Sequence, residues 1–208
     1  MSATLDLAKH LIACNATIVL DDSAPTVPFL KSAKKLFNTQ NRRLKAKLDA
    51  YVWHTLKLQP ILSEHLKHPH YFFLSITAHQ WQALLQMLGG IYCLNTVKKR
   101  IRMEERQSLT FLSDKLYTFI LKQGNLYAPI LKTIASIESD SDHWVQSVQR
   151  SGQFLLEYLW TQQPVPLVQR FALIMPPSYS WNFRHVIDPT NQHQLYNICK
   201  HLLKMIEE

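Results

Sequence analysis

Apolar positions in this chain recur every three or four residues, the period of a helix with one buried face. Leu5, Ala8, Leu11 and Ile12 set that rhythm over residues 3–14. Residues 15–28 are rich in β-branched side chains and then in proline, which reads as an extended segment or loop. Pro28 suits the first turn of a helix carrying Phe29, Leu30, Ala33, Leu36 and Phe37, and residues 41–58 form another with Leu44, Leu48, Tyr51, Val52 and Leu56 on one face. Pro60 opens a short helix that ends before Pro69, residues 70–74 are extended or bridging, and Thr77 is placed to cap a helix over 78–88.

Gly89-Gly90 either stops that helix or permits a close crossing. The pattern then predicts helices over 91–102 and 103–112, from Ser113 to a stop at Gly124-Asn125, and from Pro129 through Ile137. Asp140 or Ser141 caps the next, which runs from Trp144 to just before Pro164. A short helix over 167–173 follows Pro166, Met175-Pro176-Pro177 is a hard stop, residues 178–191 read as an aromatic loop, and 191–206 form the last helix. The expectation is an all-α chain. It has about eight to ten short helices in one compact domain over 1–208, with residues 1–70 as a loosely attached subregion and a short extended segment near its start.

Composition supports this picture. Only four glycines occur in 208 residues, which leaves little material for the tight turns of a many-stranded sheet. The 47% hydrophobic content is too high for a disordered chain. Cys14, Cys93 and Cys199 are isolated, so a disulfide framework or zinc ribbon is not expected, and they read as small buried hydrophobes in a reducing compartment. No secretory leader and no run of about 18 apolar residues is seen, so the expectation is a soluble intracellular protein.

Charge adds a functional hint. The net charge is +8, and it is concentrated. Lys31, Lys34, Lys35, Arg42, Arg43, Lys45 and Lys47 form one cluster without an acid, and Lys98, Lys99, Arg100, Arg102 and Arg106 form a second. Such faces attract acidic proteins, nucleic acid or anionic membranes.

Catalytic and metal motifs are weak by comparison. Glu64, His65, His68 and His70 are the best metal candidates, but Pro69 interrupts the spacing and no HExxH is formed. They read instead as a solvated helix end. His193 and His201 read as surface or partly buried side chains. The acidic run 138–142 lacks the glycine and terminal glutamate of a calcium loop and is better explained as a helix start. No phosphate loop, dinucleotide fingerprint or nucleophile elbow occurs. The reading is a chain that is not an enzyme, with no catalytic residue, no cofactor and no metal.

One string in the last third resembles a known family. Gly152-Gln153-Phe154-Leu155-Leu156 is followed by Leu159, then by Pro166-Leu167-Val168-Gln169-Arg170-Phe171-Ala172-Leu173 and Pro176-Pro177. Upstream lie Leu84-Leu85, Leu88-Gly89, Cys93-Leu94, the basic run from Lys98 to Arg102, and Leu109, Leu112, Tyr117 and Phe119. This is similar to the type III secretion cytosolic accessory family, the OrgA/MxiK/YscK (SctK) type, over roughly residues 75–177. The family's aromatic-His-Pro element has its nearest counterpart at Leu66-Lys67-His68-Pro69, with Leu where the aromatic stands.

The resemblance implies a helical, non-enzymatic adaptor of the secretion sorting platform. It would sit in the cytoplasm at the inner membrane, bridge the ring protein's cytosolic domain to the pod protein, and support effector export. Partner binding is assigned to Lys34, Lys35, Arg42, Arg43, Lys98, Lys99, Arg100 and Arg102, and to an exposed aromatic group of Tyr179, Trp181, Phe183 and Arg184. Phe171 is expected to pack and Arg170 to cap or pair. The alternative is a helical nucleic-acid-binding or regulatory protein that uses the same basic faces.

Overall fold

A computed structural model describes Lys47, Ala50, His54 and residues 57–102, 114–137, 143–175 and 181–207. Among these every regular element is helical and none is a strand, as the apolar periodicity predicts. The α-helices are α1 (Ala78–Tyr92), α2 (Leu94–Arg102), α3 (Asp114–Ile134), α4 (Trp144–Trp160), α5 (Val165–Ile174) and α6 (Pro189–Glu207), with 3-10 segments at His65–Lys67 and Pro69–Ser75. Among the described residues that is slightly fewer α-helices than the eight to ten expected of the whole chain, and Lys47, Ala50 and His54 are helical as well. The helices expected over 3–14, 28–37 and 103–112 lie outside the described residues.

The chain groups into two compact units, each built from two separated stretches. In the first, the described part is Lys47, Ala50, His54 and residues 57–78 together with 163–175. Helix α5 packs on the Pro69–Ser75 segment. Gln169 fixes residues 57–59 by a two-way amide pairing: its Oε1 accepts from the Gln59 N–H at 2.8 Å and its Nε2 donates to the Lys57 carbonyl at 3.0 Å. The neighbouring Arg170 donates from Nη2 to the Gln59 carbonyl at 3.4 Å, and Phe171 is fully buried.

The helix expected behind Pro60 is reduced to the 3-10 turn at His65–Lys67. His65 Nδ1 accepts the Leu62 N–H at 3.0 Å, which ties the ring to the backbone before that turn. Residues 70–74 are 3-10 rather than extended. Pro69 sits in the first turn, where its missing N–H is harmless, and the His68 side chain accepts from the His70 N–H.

The second unit holds α1–α4, α6 and the segment before α6. Here two readings of the sequence are corrected. Gly124-Asn125 does not stop a helix, because α3 runs from Asp114 to Ile134 through both residues and through Pro129. Gly124 is buried under the Leu94 side chain, so it serves packing rather than termination. Pro129 is exposed, so the carbonyl that loses its helical N–H partner can turn to water.

Gly89-Gly90 likewise sits inside α1. A Cβ on Gly89 would overlap the Val148 carbonyl oxygen, and one on Gly152 would overlap the Leu85 carbonyl oxygen. α1 and α4 therefore meet backbone to backbone, and a side chain as small as alanine's holds them apart. The fully buried Trp81 and Trp160 lie beside each other, ring centroids 6.2 Å apart. Burying each indole contributes about 4–6 kcal/mol at about 25 cal/mol per Å². No described helix is long and apolar enough to cross a membrane.

Candidate interaction surface

Of the residues assigned to partner binding, Lys34, Lys35, Arg42, Arg43 and Tyr179 lie outside the described residues. Lys98, Lys99, Arg100 and Arg102 fall on α2, which packs on α3. Val97 is fully buried, Lys99 is exposed, and Lys98 is half-buried with its Nζ donating to Asn125 Oδ1 at 2.9 Å. That bond holds the Lys98 ammonium beside α3. Arg184 is exposed.

Trp181 and Phe183 belong to the segment 181–188, which carries no helix, as expected of the aromatic loop. Burial alternates along it. Trp181, Phe183, His185 and Ile187 are half-buried, so the rings of Trp181 and Phe183 are not exposed as expected, while Asn182, Arg184, Val186 and Asp188 are exposed. A period of two is that of an extended chain lying on a surface. The rings of Trp181 and Phe183 stack, centroids 6.1 Å apart and 1° from parallel.

What holds this strap is a residue that the sequence reading did not single out. Glu157 on α4 is only 5% exposed. Its Oε1 accepts from the Asn182 N–H at 3.0 Å and from Gln153 Nε2 at 2.8 Å. Its Oε2 lies 2.9 Å from His185 Nε2, which donates in the tautomer protonated there. The His185 ring also packs on Phe154 at 4.6 Å between centroids. A buried carboxylate is costly unless several donors meet it, and three do. The signal was present in the sequence: Glu157 interrupts the apolar run Leu155-Leu156-Glu157-Tyr158-Leu159-Trp160, and an acid in such a run needs partners.

The strap also closes two helix ends. Asp188 Oδ1 accepts the Thr190 N–H at 2.8 Å at the start of α6. Gln192 Nε2 then reaches back to the carbonyls of Leu159 and Thr161 at 3.1 and 2.8 Å, serving the open end of α4.

The other chemical candidates take structural positions. The His68 and His70 rings lie 5.3 Å apart, and His70 is buried against Phe73. Burial, with His65 nearby, holds the His68 imidazole below its ordinary pKa. Among the described residues no three His, Cys, Asp or Glu side chains come together as a metal cage. Burial pushes the Cys93 thiol up, tempered by Ser151 and Lys132, and pushes the wholly buried Cys199 thiol far above its ordinary range. Neither is poised as a nucleophile. Comparison with family models, curated proteins and solved structures finds no match to this chain.

Proposed function

We propose that this chain is a non-enzymatic helical adaptor of a type III secretion sorting platform. It bridges the cytosolic domain of the inner-membrane ring protein to the pod protein and so supports effector export. It works in the cytoplasm at the inner membrane. The family half of this reading rests on the resemblance over about residues 75–177.

The binding half rests on one observation, the aromatic strap tied down by Glu157. The strap turns Arg184 and Val186 outward, with Trp181 and Phe183 half-buried behind them as a stacked base, and arginine and aromatic side chains are the residue types that dominate protein interfaces. Holding it in place beforehand avoids an ordering cost of about 0.5–1.5 kcal/mol per side chain on binding. Lys98 and Lys99 add electrostatic steering toward an acidic partner.

The test is capture of partners by tagged full-length chain from its native host, at moderate and at high salt, with mass spectrometry of what is retained. Recovery of the ring and pod proteins, reduced by Trp181→Ala with Phe183→Ala, is the expected result. Recovery of nucleic acid and ribosomal proteins alone, lost at high salt, would replace the adaptor with the nucleic-acid-binding reading.

A further inference from the structure

Helix α3 has two apolar faces, and one of them is open to solvent. Its inner face buries Ile120, Gly124 and Leu131. At 100° per residue, Phe119, Gln123, Leu126 and Ile130 fall within about 60° of one another on the outer face. Leu126 is 67% exposed and Ile130 38%, while Phe119 is half-buried. Isolated exposed leucines are ordinary, but apolar residues spaced one turn apart on an outward face are not.

The stripe leads into an open cleft of about 420 Å³ lined by Met87 of α1, Leu116, Phe119 and Lys122 of α3, and Met205 of α6. Two methionines give that floor a shape that adapts to an inserted side chain. From Phe119 to Ile130 the stripe is about 16 Å long, three turns of a helix laid beside it.

Charge selects the occupant. The acids of helices α2, α3 and α6 are the end residues Asp114 and Glu207 alone, and of their lysines Lys122 lines the cleft while Lys204 directly precedes its Met205. Lys122 and Lys204 are exposed, Lys122 at the cleft itself. An aliphatic ridge gives nothing to a phosphate backbone, whereas apolar anchors edged with cations fit a helix that is apolar on one side and acidic beside it.

We infer that the outer face of α3, from the Phe119–Met205 cleft to Ile130, is a docking groove for an acidic amphipathic helix of a partner protein. Anchors at i, i+7 and i+11 meet Phe119, Leu126 and Ile130, and its glutamates meet Lys122. This rests on the protein-binding reading above, but not on the secretion assignment.

Two fluorescent 18-residue helical peptides test it. They share one leucine stripe, with Glu at the remaining positions of one and Lys in the other. Anisotropy with the full-length chain is expected to show the Glu peptide binding at least tenfold tighter. Leu126→Glu with Ile130→Glu, both at exposed positions, should weaken it at least tenfold while circular dichroism stays unchanged. Equal binding of the two peptides, indifference to the double substitution, or equally tight competition by a DNA duplex would each overturn the proposal. So would sedimentation that shows the groove occupied by a second copy and freed by Leu126→Glu. Peptide binding with failed capture of ring and pod proteins would sink the platform assignment alone.

Discussion

The two halves of α4 are held in opposite ways. Its first half meets α1 through bare backbone, where Gly152 lies on the Leu85 carbonyl and Val148 on Gly89. Its second half is held by polar groups: Glu157 collects an amide, a backbone N–H and a histidine, and Gln192 serves the last carbonyls. The first half depends on the absence of atoms, and the second on the presence of a few. Adding a methyl should break one, and removing a carboxylate should break the other, each leaving its neighbour largely intact.

The largest effect is expected at the crossing. Gly152→Ala gains about 1 kcal/mol of helix propensity, but its methyl has to push a backbone carbonyl aside, so a net loss of about 3 kcal/mol is predicted. Gly89→Ala should behave alike, and the pair should cost less than the sum, because the first methyl already parts the helices. Gly90→Ala is the control. Its Cβ would meet the Ile120 side chain, nearest at the terminal Cδ1 at 2.5 Å, and no backbone among its nearest atoms, so a change within about 1 kcal/mol is expected. Urea unfolding of the four variants measures this. A local reporter is built in, since Cys93 Sγ lies 3.6 Å from Ser151 Oγ, one residue before Gly152. Cys93 should react faster with a thiol reagent in Gly152→Ala and not in Gly90→Ala. Equal stability of Gly89→Ala and Gly90→Ala would show that the helices do not cross this closely.

At the polar end, Glu157→Ala strands three donors and should cost about 2–3 kcal/mol, while Glu157→Gln, which keeps one acceptor oxygen, should cost about half as much. The strap is predicted to loosen before the helices do. Fluorescence of Trp181 should shift to the red in Glu157→Ala, and Cys93 should stay slow. A variant in which Cys93 became reactive would mean that the two halves of α4 are one cooperative unit, and the contrast would fail.

The same contrast separates what the sequence showed from what it hid. Helical periodicity was legible because it depends on spacing within one segment, and the broad stripe from Trp144 to Leu159 is α4 as found. Gly89 was ambiguous between stop and crossing because its answer lies in Gly152, more than sixty positions away. Gly124 and Pro129 looked like punctuation, but tertiary context overrode them: Leu94 covers the glycine, and the proline lies on an exposed side of the helix. Trp181 and Phe183 were legible as an aromatic loop, but the choice of Glu157 as their anchor was not. Clusters of like charge stand out in a sequence, whereas the informative charge in this chain is a single acid in apolar company. The basic α2 was visible as a run of cations, while the open face of α3 was not, since spacing within one helix does not show which apolar positions its neighbours leave uncovered.

The smallest predicted effect tests whether the strap and the end of α4 act together. Gln192 is half-buried, and its amide reaches the carbonyls that α4 leaves open. Gln192→Ala removes donors but leaves the carbonyls close to water, so the loss should be near 1 kcal/mol. If the cap only finishes α4, this loss adds to that of Glu157→Ala. If the strap positions α6, and α6 in turn positions Gln192, then freeing the strap already displaces the cap. The double variant should then lose less than the sum, by about 0.5 kcal/mol or more in a double-mutant cycle. The chain order favours the coupled outcome: Asp188 ends the strap, caps α6 through Thr190, and lies four residues before Gln192, whose own N–H bonds the Asp188 carbonyl at 3.0 Å.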